Sequence, residues 1–239
     1  RTELGLPGLQ LDLLKAVHAV NPNIVLVLMN GRPLTITWEA EHIPTILEAW
    51  QLGTESGNAI AKVLFGAYNP SGKLPMTFPR SVGQIPIYYN HFNTGRPNPE
   101  PNVFWSHYSD EENTPLYPFG HGLSYTTFAY EDLKINVRDD GTVKVNDKVT
   151  STGDVFGEEV VQLYIQDKKA SIARPVQELK GFQKVGIPAG ETKTLTFILT
   201  DNELGFFNRK HEFVVEPGKF GVMVGGSSVD GLKGGFTKK

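Results

Sequence analysis

The 239 residues contain no cysteine. That excludes disulfide frameworks, thiolate metal ligands and cysteine nucleophiles. It does not exclude export, because a core of this size needs no covalent staples. Long apolar runs are also missing. The longest unbroken one is residues 24–29, far short of the roughly 20 residues a membrane-spanning helix requires. Basic charge is not in excess: 23 Lys and Arg against 26 Asp and Glu give a net charge of -3 and a pI of about 6.1. Such a chain has no bulk attraction for nucleic acid or an anionic membrane surface. The 6 histidines show no HxxxH spacing, so neither a metal nor another cofactor is expected. No repeat or low-complexity tract occurs. The chain opens on Arg1 with no signal-like segment behind it, which leads us to expect a processed, truncated or excised piece of something longer.

What is present divides into two patterns. Up to about residue 89, helix and strand signals alternate. Pro7 and Gly8 precede Leu9, Leu13, Val17 and Val20, spaced as one helical face, and Asn21-Pro22-Asn23 stops them. Residues 24–29 are apolar without polar alternation, predicting a strand buried on both faces as in a parallel sheet. Asn30-Gly31-Arg32-Pro33 breaks it. A second strand is expected over residues 45–50, then a helix with Ile60, Val63 and Leu64 on one face and Gly66 as its stop. Helix, strand, strand, helix argues for an open α/β sheet, with too few strands to complete a domain.

From residue 128 a two-residue period takes over. Leu133, Ile135 and Val137 alternate, as do Val161, Leu163 and Ile165, then Leu195, Phe197 and Leu199, then Phe220, Val222 and Val224. Asp140-Gly141, Thr152-Gly153-Asp154, Pro188-Ala189-Gly190 and Pro217-Gly218 supply turns between them. About seven short strands at this spacing fit an immunoglobulin or fibronectin type III sandwich, the latter needing no cysteine pair. Between the halves, Phe104, Trp105, Tyr108, Tyr117, Phe119 and Tyr125 are too aromatic for a disordered spacer. The expected organisation is therefore an α/β portion at 1–89, a connection packing across both domains at 90–127, and a sandwich at 128–239. The sandwich, from about 128 to 236, is expected to fold alone.

Several segments, in order, resemble glycoside hydrolase family 3, especially its periplasmic bacterial β-glucosidases. They are Val27-Leu28-Met29-Asn30-Gly31-Arg32-Pro33-Leu34, Gly53-Thr54-Glu55-Ser56-Gly57-Asn58-Ala59, Asn69-Pro70-Ser71-Gly72-Lys73-Leu74-Pro75-Met76-Thr77-Phe78-Pro79 and Gln84-Ile85-Pro86-Ile87-Tyr88-Tyr89-Asn90. Asn93-Thr94-Gly95-Arg96-Pro97 and Tyr117-Pro118-Phe119-Gly120-His121-Gly122-Leu123-Ser124-Tyr125 follow. Glu159-Val160-Val161-Gln162-Leu163-Tyr164 and Arg174-Pro175-Val176-Gln177-Glu178-Leu179-Lys180-Gly181-Phe182 continue it through the sandwich. Residues 144–150 depart from the family's stronger apolar alternation. The resemblance implies the end of an α/β sandwich domain followed by a fibronectin-like domain, without the barrel that carries the aspartate nucleophile. It puts the acid/base glutamate just before Arg1, so that role does not pass to Glu3. This chain is then expected to hold no catalytic residue, to act with a missing N-terminal barrel on β-glucosides or oligosaccharides, and to be periplasmic or secreted. A stand-alone carbohydrate- or protein-binding module is the alternative.

Five residues are candidates for lying near substrate: Asn30, Gly31, Arg32, Glu55 and Asp110. Asn30, Gly31 and Arg32 follow a central strand, where open α/β sheets gather ligands; they equally suit a structural turn. Glu55 sits at a helix start that Thr54 or Ser56 can cap. Asp110, Glu111 and Glu112 form either a solvated acidic turn or the rim of a cleft. Trp105 and Tyr108 can stack on a sugar or be buried at the domain junction. His121, between Gly120 and Gly122, marks a tight turn. The incomplete α/β half should leave apolar surface open, predicting homo-oligomerisation or retention of a barrel-bearing fragment.

Overall fold

The computed structural model describes residues 2–94 and 106–239. These fall into two compact units. The first comprises Arg1–Tyr68, Met76–Ile87 and Tyr108–Tyr117; the second comprises Asn69–Pro75, Tyr88–His107 and Pro118–Lys239.

In the first unit, helix α1 (Gln10–Val20) leads to strand β1 (Val25–Leu28), helix α2 (Thr37–His42), strand β2 (Thr45–Glu48) and helix α3 (Ser56–Leu64). β1 and β2 pair in parallel, with Val25 opposite Thr45 and Leu28 opposite Glu48. The expectation of a strand buried on both faces is corrected here: Val25 is 50% exposed, and Leu28 alone in β1 is buried. A two-stranded sheet has too little around it to cover both faces. Helix α2 was not expected from the sequence, although Ile36, Ala40 and Ile43 carry a helical spacing and both isoleucines are buried. Phe78 anchors the unit. Its backbone pairs with Tyr117, and its ring, 1% exposed, packs edgewise on Trp50 and Tyr117. A short 3-10 turn at Val82–Gln84 follows.

The apolar stripe of α1 forms as predicted but stays largely uncovered among the described residues. Leu9, Leu13, Val17 and Val20 are 77%, 65%, 41% and 84% exposed, and α1 contains no buried residue. α3 likewise buries none, and Leu64 and Phe65 face outward.

The second unit is a sandwich. One sheet has the order β11 (Leu232–Lys238), β10 (Gly218–Gly225), β5 (Gly157–Asp167), β6 (Glu178–Ile187). The other has the order β3 (Phe128–Val137), β4 (Val143–Ser151), β7 (Thr192–Leu199). All pairings are antiparallel. A capped helical turn, α4 (Asp201–Leu204), precedes a two-residue ribbon of β8 (Phe206–Phe207) and β9 (Phe213–Val214). The core is the cluster that includes Val143, Val145, Val149, Val161, Leu163, Leu195, Phe197, Leu199, Val222 and Val224. Each such side chain contributes about 1.5–3 kcal/mol on burial, which makes alternation the dominant determinant of this half.

Asn69–Pro75 belongs to this unit through its own bonds. The Leu74 N–H donates to the His121 carbonyl, and the Gly120 N–H donates to the Leu74 carbonyl, both at 2.8 Å. Gly122 makes the pairing possible, since a Cβ there would stand 2.2 Å from the Gly72 carbonyl oxygen.

Candidate functional site

The carboxyl ends of β1 and β2 place Asn30, Gly31 and Arg32 beside Glu48 and Trp50. The Asn30 amide donates to the Arg32 carbonyl at 2.8 Å and closes the turn. Asn30 Oδ1 is buried and meets no donor among the described residues. Gly31 and Arg32 are exposed. Arg32 forms no ion pair among the described residues. Glu48 accepts the Trp50 N–H at 3.0 Å. Burial pushes its carboxyl above the usual carboxylate range, partly offset by that N–H and by Asn30. Trp50 holds a left-handed backbone, φ 51°. Beside this turn runs a groove of about 650 Å³ whose lining includes Leu13, Val17, Leu28, Met29, Asn30 and Arg32. The arrangement sets an exposed guanidinium beside a groove lined mostly by apolar side chains, while the Asn30 amide oxygen is buried.

No hydrogen bond or ion pair among the described residues joins Glu55 or Asp110 to residues 30–32. Glu55 itself is the residue before α3, and no side chain caps that helix; its carboxylate takes the Asn58 amide at 2.6 Å. The acidic run is pinned by Arg80, whose Nη2 lies 2.9 Å from Glu112 and whose Nε lies 3.9 Å from Glu111. Gln84 reinforces it by donating to the Glu112 carbonyl at 2.8 Å. Asp110 remains exposed. Tyr108 is 43% exposed rather than buried, while Trp105 lies outside the described residues.

Two groupings were missed by sequence reasoning. His18 and His42 look scattered in the chain, yet their rings lie 5.9 Å apart, with the His42 ring stacked on Trp38 at 4.4 Å. Among the described residues no three His, Cys, Asp or Glu side chains group to hold a metal ion. In the sandwich unit Lys73 reaches Glu159 at 3.1 Å and the Gly122 carbonyl at 3.0 Å. The Tyr130 hydroxyl donates to the same Glu159 oxygen at 2.8 Å. Burial and the Lys73 charge hold the His121 imidazole below its ordinary value.

Comparison with known proteins decides the family. Residues 1–125 match the Glycosyl hydrolase family 3 C-terminal domain, and residues 159–228 match the Fibronectin type III-like domain. This chain belongs to glycosyl hydrolase family 3. It is 52% identical over 241 residues to a periplasmic beta-glucosidase of Salmonella typhimurium, covering 99% of this chain and 32% of that protein. It is 44% identical to a beta-xylosidase of Formosa agariphila, again across 32% of the relative. The solved beta-glucosidase of Listeria innocua in complex with gluconolactone superposes with a TM-score of 0.93 at 44% identity, over 98% of this chain and 33% of that one. The chain thus spans about a third of the length of the relatives it matches. Among its described residues no helix is long and apolar enough to cross a membrane.

Proposed function

We propose that this chain is the C-terminal portion of a retaining, exo-acting β-glucosidase that releases glucose from non-reducing ends, and that alone it shapes the cleft without turnover. The observation carrying this reading is that the likeness to named beta-glucosidases runs through nearly the whole chain yet reaches only a third of each relative. A retaining glycosidase needs two carboxyl groups about 5–5.5 Å apart, one as nucleophile and one as acid/base. In this reading both come from the polypeptide upstream. The open face of α1 and its groove support such a partner: four exposed apolar side chains there stand to gain about 1.5–3 kcal/mol each when covered. Asn30, Gly31, Arg32, Glu55 and Asp110 are then the residues of this chain nearest the substrate. The Salmonella relative's name supports a periplasmic setting.

The test is hydrolysis of an aryl β-glucoside by the purified chain. No turnover is expected, and addition of the upstream polypeptide should create it. Activity of the chain alone that vanishes on replacing one of its own carboxylates would overturn the proposal. An aryl β-xyloside run in parallel separates the two sugars that the relatives' names offer.

A further inference from the structure

The inward face of β4 reads Val143, Val145, Asp147, Val149, Ser151, every one of them buried. Asp147 is a carboxyl group in a row built for valine. It is 0% exposed, and among the described residues neither carboxylate oxygen has a hydrogen-bond partner beyond the pull of its own backbone N–H. Its partner across the ladder on β7 is Leu195. On the other side β3 bulges between Glu131 and Lys134, so no single residue stands opposite it. The bulge's own charge is spent outward, where Asp132 pairs with Lys148 at 2.7 Å.

Among the described residues the surrounding elements offer it no counter-charge. β7 turns Leu195, Phe197 and Leu199 to the core, and β10 turns Phe220, Val222 and Val224. β3 contributes the Tyr130 phenol, which feels the negative charge of Asp147. β5 contributes Glu159, already held by Lys73 and by that phenol. Asp230 acts on the same phenol. Among the described residues, these titratable groups are therefore acidic or already paired. An ionised carboxylate without partners in such a place costs several kcal/mol, and the usual escape is to take up a proton.

We propose that in mild acid the sandwich folds with Asp147 as a neutral carboxylic acid, so that folding there takes up one proton and mild acid stabilises the domain. Desolvation acts in the same direction and, against the pull of the residue's own backbone N–H, pushes the carboxyl up to about 6 from an ordinary 3.8. The sign follows. Between these values the folded state binds a proton that the unfolded state has lost, so stability falls as pH rises through that window. Below it Asp147 costs nothing as a charge. Above it the full penalty applies, about a hundredfold in the folding equilibrium, since each pKa unit is a factor of ten.

The experiment is amide hydrogen exchange of peptides from β4, β5 and β7 in the whole chain, at several pH values from 4 to 8. Wild type is compared at each pH with Asp147→Asn and Asp147→Val, which cancels the intrinsic pH dependence of exchange. Both variants should gain about a hundredfold in protection over wild type at pH 7, and that gain should shrink toward nothing near pH 4. Asn retains a polar group and Val does not, so a shared pH profile isolates the charge. A ratio that stays flat with pH in both variants, or a loss of protection at pH 7, would overturn the proposal.

Discussion

Replacing Lys73 by methionine tests how the sandwich is held. Methionine keeps the length and apolar stem of the side chain and removes its charge. Lys73 Nζ and Glu159 Oε1 are 3.1 Å apart, with side chains 14% and 5% exposed. At an effective dielectric of 20 that separation corresponds to roughly 5 kcal/mol of attraction. Desolvation of both groups offsets much of it, so the intact pair is worth far less than its Coulomb energy. Removing one partner is different, because Glu159 is left charged in a buried place, at about 3–5 kcal/mol. Tyr130 still donates to Glu159, which puts the expected loss at the lower end, about 3 kcal/mol. The Gly122 carbonyl also loses its donor. The assay is urea unfolding of Lys73→Met, Glu159→Leu and the double variant, followed by near-ultraviolet circular dichroism. The double variant should lose about 2 kcal/mol less than the two single losses combined. A Lys73→Met loss below about 1 kcal/mol, or losses that add within about 0.5 kcal/mol, refutes the argument. The same quantity bears on autonomy: a polypeptide starting at Phe128 lacks Lys73 and should unfold at lower urea than one retaining Asn69–Pro75.

Two other substitutions separate packing from docking. Gly122→Ala drives a methyl group to 2.2 Å from the Gly72 carbonyl oxygen, so it should lower stability by about 2 kcal/mol or more and speed exchange at the Leu74 amide. Leu13→Glu with Val17→Glu alters side chains 65% and 41% exposed, so the melting temperature should stay within a few degrees. Self-association and binding of an apolar dye should drop in that variant; unchanged sedimentation and dye binding would remove α1 as the sticky face.

Legibility in the sequence followed the range of the interactions involved. β7 was readable because Leu195, Phe197 and Leu199 point inward while threonines and Ile198 point out, a period that burial alone imposes. β11 carries no such signal. Gly234 and Gly235 sit where a side chain would collide with Ile135 and with the Phe220 carbonyl, so close approach replaced alternation. α2 spans only six residues and begins without a side-chain cap, which left its Ile36, Ala40, Ile43 spacing unannounced. The turn at residues 30–32 was readable from its place after an apolar strand, but Glu48 was not, because it joins Asn30 only through the parallel register of β1 and β2.

The sandwich's polar cluster shows the same limit from the other side. Lys73 stands among Gly, Leu and Pro in a segment with no strand period, and Glu159 stands in β5 between Glu158 and Val160. Neither position is informative alone. A half-buried lysine is tolerable only if its carboxylate is present, and a buried glutamate only if its cation is, so each residue is explained by the other. Asp147 occupies a comparable inward position with no such partner, and the strand pattern around it is as regular as any in the chain. Alternation therefore reports where a side chain points, and pairing decides what it costs to leave it there.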